Sequence, residues 1–149
     1  MLVSALIAFA HFFAFFALTA ALMLQLTLLS DSISVAIARR IQRADRVYGM
    51  SAILILIFGL LRVVYFEKGA DYYFGNTFFL LKIGLFIILG LLSIFPTICY
   101  LRWNPELKLD IAPELSIREV QKLRKIIHSE LVVILGILLC ASLMAKGYG

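Results

Sequence analysis

Charge is scarce in this sequence of 149 residues: Asp, Glu, Lys and Arg make up 15% of it, against 63% hydrophobic residues. That balance excludes a water-facing surface over most of the molecule and leaves lipid as the solvent. Cysteine is nearly absent too. Cys99 and Cys140 fall at different membrane depths, which argues against a disulfide within one chain, and they have no metal-type spacing. Missing as well are a glycine-rich phosphate loop, a nucleophile and base at useful spacing, a fixed-period repeat and any low-complexity segment. Ordinary hydrolase and kinase chemistries have nothing to rest on. The first apolar run has no basic start and far exceeds the roughly 7–15 residues of a cleavable leader core, so it is expected to be retained as a span.

What is present is four long apolar stretches, Leu2 to Leu29, Val47 to Phe66, Phe78 to Leu101 and Ile126 to Ala145. A helix crosses the hydrocarbon core with about 20 residues. The expected fold is therefore all-α: an integral membrane four-helix up-and-down bundle, one domain over 1–149 with spans near 2–29, 47–66, 78–101 and 119–146. The fourth apolar run is short, so its helix must take in His128, Ser129 and Glu130, which draws Glu130 into the inner edge of the membrane.

The formal net charge of +5 is unevenly placed. Arg39, Arg40, Arg43 and Arg46 lie between spans one and two, and Arg102, Lys108, Arg118, Lys122, Arg124 and Lys125 between spans three and four. The second loop carries only Lys68 and the C-terminus only Lys146. The positive-inside bias then places loops one and three in the cytoplasm and both termini outside, in a bacterial inner membrane. Anionic headgroups, not nucleic acid, are the partners this charge fits. In loop one, Ile33, Ile37 and Ile41 repeat every four residues and predict a short interfacial helix. Loop two gathers Tyr65, Tyr72, Tyr73, Phe74 and Phe79 as an outer aromatic belt. In loop three, Trp103 marks the inner interface, and Ser116 to Glu119 reads as a capping box whose helix runs straight into span four.

Charges in hydrocarbon are costly, so the polar residues within the spans carry the functional information. In span one, His11 and Gln25 are within about 40° of each other on the helix surface, beside Ala10, Ala14 and Ala21. Span two aligns Tyr48, Ser51, Ile55, Gly59, Arg62 and Tyr65, and span three Lys82, Leu89, Ser93, Pro96, Thr97 and Tyr100. Depth sorts these into two layers. In the outer one His11 lies about 13 Å deep and Arg62 and Lys82 about 6 Å deep, at the helical rise per residue. Glu67 or Asp71 of loop two, or a ligand carrying carboxylates or phosphate, would balance this basic set. The inner layer holds Gln25, Tyr48, Thr97, Tyr100, Arg102 and Glu130; Glu130 is expected to pair with Arg102 or to accept hydrogen bonds from Tyr48, Tyr100 or Gln25. His128 lies on the side opposite Glu130 and can snorkel to the headgroups.

His11, the run from Arg39-Arg40 to Arg46-Val47-Tyr48-Gly49, Arg62, Glu67-Lys68-Gly69, Phe79-Leu80-Leu81-Lys82, Ser93-Ile94-Phe95-Pro96-Thr97 and Met144-Ala145-Lys146-Gly147 together resemble a bacterial family of predicted four-helix membrane proteins, a domain of unknown function. The layout is also distantly similar to haem-containing protoporphyrinogen oxidases of the HemJ type. In that likeness His11, Lys82 and Glu130 occupy the places of an early histidine, a lysine opening the third helix and an acidic residue early in the last. It implies His11 as an axial ligand of haem b and Lys82 near a porphyrin carboxylate; in a haem-binding reading Arg62 and Lys82 would hold the propionates. Three functions are thus expected to compete. One is a haem b or tetrapyrrole-binding redox protein. Another is a non-enzymatic accessory subunit that binds lipid, a membrane partner or a second copy of itself. The third is a small transporter, disfavoured because four helices lack an inverted repeat.

Overall fold

The computed structural model describes residues 1–66 and 70–148. Its helices are α1 (Leu2–Leu28), α2 (Val35–Leu61, continued by a π-helical turn, Arg62–Phe66), α3 (Ala70–Phe74), α4 (Thr77–Arg102), α5 (Asn104–Lys108) and α6 (Ile117–Ala145). No strand occurs among the described residues, and α1, α2, α4 and α6 each contain a stretch long and apolar enough to cross a membrane.

Each long helix buries one stripe. On α1 it runs through Ala14, Leu18, Ala21, Leu22 and Gln25; on α2 through Ala38, Ile41, Ala44, Tyr48, Ser51 and Ile55. On α6 it follows Val120, Leu123, Ile127, Glu130, Ile134, Ile137 and Cys140. Steps of three and four residues keep these side chains on one helical face. The outward faces stay apolar: Phe16, Leu60, Leu91 and Leu135 are all more than half exposed, an arrangement that suits lipid and not water.

The helices pack as two hairpins. α1 lies along α2 and α4 along α6, whereas α2 meets α4 and α1 meets α6 more sparsely. Small side chains explain the close first pairing, with Ala14 and Ala21 facing the α2 hairpin partner that carries Ala38 and Ala44. In the second, Gly136 of α6 lets α4 approach: a Cβ there would stand 3.2 Å from Leu85 Cδ1.

Two sequence expectations are corrected at the basic end. Loop one holds no separate interfacial helix. Ser34 caps α2 by accepting from the Ile37 N–H at 3.3 Å, and one helix then runs unbroken through the arginines. Ile33 and Ile41 are buried, so this apolar face packs on protein instead of lying on a membrane surface. Trp103 is likewise core, 6% exposed, and clusters with Leu29, Ile33, Ile41, Tyr100, Leu107 and Leu123. The reason is the same for both: α2 begins already at Val35, and the connection after α4 folds against its first turns.

Polar clamps close that end. Arg39 Nη2 donates to the Leu107 carbonyl at 2.9 Å and to Asp110 Oδ1 at 2.6 Å, Gln42 Nε2 to the Tyr100 carbonyl at 2.6 Å, and Arg124 Nη2 to the Leu29 carbonyl at 2.6 Å. The carbonyls they reach lie at or just past the ends of helices, where acceptors lack intrahelical partners. The exposed Arg39–Asp110 ion pair itself adds little. The capping box forms as expected, with Glu119 N–H donating to Ser116 Oγ at 3.2 Å and Ser116 N–H to Glu119 Oε2 at 2.9 Å. His128 is exposed and its Nδ1 lies 2.7 Å from the Arg124 carbonyl of its own helix.

At the other end Asn76, 2% exposed, joins two elements. Its Oδ1 accepts from the Phe79 N–H at 3.0 Å as the cap of α4, and its Nδ2 donates to the Tyr148 carbonyl at 3.0 Å. Asn76→Ala is expected to destabilise the bundle by about 1–2 kcal/mol and to release the C-terminus. Increased proteolysis after Lys146 would register it, and unchanged protection would count against the tie.

Candidate functional site

The sparse contact between the two hairpins leaves a cavity of about 140 Å³ in the half of the bundle away from the basic loops. Its wall combines His11 and Phe15 of α1, Ile55 and Gly59 of α2, Arg62 and Val63 of the π turn, Tyr73 of α3, Lys82 and Phe86 of α4, and Ile137 and Met144 of α6. The three cofactor-binding candidates, His11, Arg62 and Lys82, therefore line one space. Its surface is otherwise almost wholly apolar.

Local structure explains how each arrives there. The α2 helix widens into a π turn at Arg62, and an inserted residue of this kind rotates the following side chains relative to the α-helical face. Arg62 Cζ then sits 5.4 Å from the Phe12 ring centre, and Lys82 Nζ 5.1 Å from that of Phe79, so both cations lie against aromatic faces. His11 packs edge-on to Phe12 and rests on Gly59, where a Cβ would come within 3.3 Å of its Cε1. Its Nδ1 is buried and makes no hydrogen bond of good geometry, although the ring lies beside the Ile55 carbonyl. A polar atom in that state is costly and points to an absent partner. Glu67 and the side chain of Asp71, the internal candidates for balancing Arg62 and Lys82, lie outside the described residues.

The inner layer assembles from all four long helices. Tyr48 Oη donates to Glu130 Oε1 at 3.2 Å, with Glu130 only 1% exposed. Of the partners expected for Glu130, Tyr48 is the one bonded to it, while Arg102 stands exposed in the last turn of α4. Gln25 Nε2 and Tyr100 Oη are buried here without partners. Asp45 was not among the residues expected here, yet its Oδ1 accepts from Thr97 Oγ1 at 3.0 Å. The signal was available: Asp45 precedes Tyr48 by three residues on the same face of α2, and only the assignment of Ser30 to Arg46 to a loop hid it. Met144 was also missed, because nothing in a terminal apolar run separates a wall residue from a lipid-facing one.

The donor chemistry of the outer cavity can be set against haem. His11 offers one imidazole and Met144 a thioether, both recognised types of iron ligand. The space is narrow, since a cavity of about 150 Å³ accommodates a benzene-sized group and a porphyrin has four pyrrole rings. A porphyrin would have to extend out of this partly open cavity.

A family model described as a predicted membrane protein, DUF2214, matches residues 3–149. No curated protein and no solved structure matches the chain. The likeness to the haem-containing oxidases accordingly rests on His11, Lys82 and Glu130 themselves, of which the first two share the outer cavity and the third lies in the inner layer.

Proposed function

The chain belongs to the predicted membrane protein family DUF2214, and from that premise we propose that it is an intramembrane binding protein for a small amphipathic ligand. An apolar ring or branched chain enters the cavity between the hairpins, and a carboxylate or phosphate stays at the rim near Arg62 and Lys82. The observation that carries this is His11, buried in the cavity wall, where its Nδ1 makes no hydrogen bond of good geometry and the Ile55 carbonyl is its one protein neighbour of that kind among the described residues. The volume supports an occupant of one ring, and the apolar lining supports a ligand that arrives through lipid. Loops one and three face the cytoplasm of a bacterial inner membrane, which puts this cavity in the outer leaflet.

Mass spectrometry of the chain released from mild detergent tests the proposal. A bound small amphiphile is expected on the native protein and is expected to be lost, by tenfold or more in occupancy, in His11→Phe, which fills the space and removes the ring nitrogen. An empty protein at every detergent concentration would end it. Haem b is larger than this ligand class, and its entry would require the hairpins to part. A Soret band that survives purification with haem supplied and disappears in His11→Ala would replace the small ligand by haem. The accessory-subunit alternative has its own support in the exposed ridge of Phe9, Phe13 and Phe16 on α1, and it predicts a stoichiometric membrane partner in the same preparation.

A further inference from the structure

The inner polar layer has a charge balance that the outer cavity does not explain. Asp45 and Glu130 come from α2 and α6, and each accepts one hydrogen bond from a neutral hydroxyl, Thr97 at 3.0 Å and Tyr48 at 3.2 Å. No ion pair to either is present among the described residues. The titratable groups acting on Glu130, Tyr48 and Tyr100 are Asp45, Glu130 and Cys99, all acidic in character. Gln25 is the contribution of α1 and does not titrate. Arg102, Lys122 and Glu119 act on Cys99, and Lys122 Nζ lies over the Phe95 ring at 3.9 Å.

Glu130 is buried and Asp45 half-buried, and neither has an ion-pair partner among the described residues, so keeping both ionised is costly unless a mobile positive charge joins them. A second feature points to what that charge brings with it. Tyr100, 1% exposed and acted on electrostatically by both Asp45 and Glu130, has an unpartnered hydroxyl, and Gln25, also 1% exposed, an unpartnered amide nitrogen. Gln25 is one turn from Leu22, which clusters with Tyr48, and one turn from Leu29, which clusters with Tyr100. Both leftover groups can donate, and an internal water takes two to four such bonds. A metal ion would instead require several further oxygen acceptors, and no group of three His, Cys, Asp or Glu side chains suited to a metal occurs among the described residues.

We propose that Asp45, Tyr100 and Glu130 form a proton-binding site in the inner half of the bundle, in which one exchangeable proton is shared between the two carboxyl groups through Tyr100 and a bridging water. Uptake converts one carboxylate to a carboxylic acid, and release returns the proton to the aqueous side bearing the basic loops. Gln42, one turn from Asp45 and hydrogen-bonded to the Tyr100 carbonyl and to Asn104 Oδ1 at 3.0 Å, lies on the way to that side.

The full chain in lipid nanodiscs supplies two readouts. Infrared difference spectra across a pH titration should show a protonated-carboxyl band that exchanges with a carboxylate band, and Glu130→Gln should remove it. Trp103, the chain's one tryptophan, has its ring centre 5.0 Å from that of Tyr100, so its emission should titrate with the same midpoint. Tyr100→Phe keeps the packing and removes the hydroxyl; it should move that midpoint, and Asp45→Asn should move it too, even if Glu130→Gln fails to fold. The proposal is overturned if no carboxyl band titrates in the wild type, or if Tyr100→Phe and Asp45→Asn both leave the midpoint unmoved. It is overturned equally if replacing choline by sodium at constant pH abolishes the band, since the site would then hold a metal cation.

Discussion

Trp103→Ala is expected to lower the unfolding free energy by about 3–5 kcal/mol, the cost typical of removing a large aromatic from a packed site. The indole is 6% exposed, tilts against Tyr100 with ring centres 5.0 Å apart, and packs with Leu29, Ile33 and Leu107. Those residues come from α4, α5 and both sides of the first connection, so the cavity would loosen the closure of the whole basic end. Leu91→Ala is the control. Leu91 is 63% exposed on a lipid-facing surface, and its truncation removes contacts with lipid tails that lipid itself can refill, so an effect below about 1 kcal/mol is expected. Denaturant titration followed by circular dichroism compares them. Equal losses would show that Trp103 is an interface anchor after all.

Sidedness should give an all-or-none result. The structure brings the two arginine- and lysine-rich connections to one end, through Arg39 to Asp110 and Arg124 to Leu29, so they lie on the same side whichever side that is. By the positive-inside rule that side is expected to be the cytoplasm. In a background of Cys99→Ala and Cys140→Ala, an added Tyr148→Cys should react with an impermeant maleimide on intact cells, and Glu106→Cys only after lysis. Both positions are exposed. The reverse pattern would invert the orientation and move the cavity to the cytoplasmic leaflet. Replacing the exposed Arg40, Arg43 and Arg46 by glutamine should produce a mixed population, because orientation follows the count of positive charges near the spans.

The four spans, the capping box at Ser116 and most of the inward stripes, though not Tyr65, which is 74% exposed, were legible in the sequence for a simple reason. Span length, helix caps and three-to-four periodicity are local properties, each contained within one segment. Glu130 could be drawn into the membrane by counting residues alone. The placing of His11, Arg62 and Lys82 in one layer came from depth arithmetic, and the structure lines one cavity with them. Loop one went wrong because its arginines lower hydropathy without interrupting a helix. Nothing within that segment says that Ile33 and Ile41 meet Trp103 and Leu107 from distant parts of the chain.

By itself, then, the sequence determined that this chain lives in lipid, how many times it crosses, which of its connections are basic and which residues it cannot leave facing lipid. Only the tertiary structure decided what those residues meet. It set Tyr48, not Arg102, on Glu130, brought Asp45 to Thr97, and opened a cavity between the hairpins where His11 rests on Gly59. The physical reason is that a polar side chain in a bundle is satisfied across helices, by atoms many residues away. Its partner is therefore fixed by how the helices pack, which no single segment encodes.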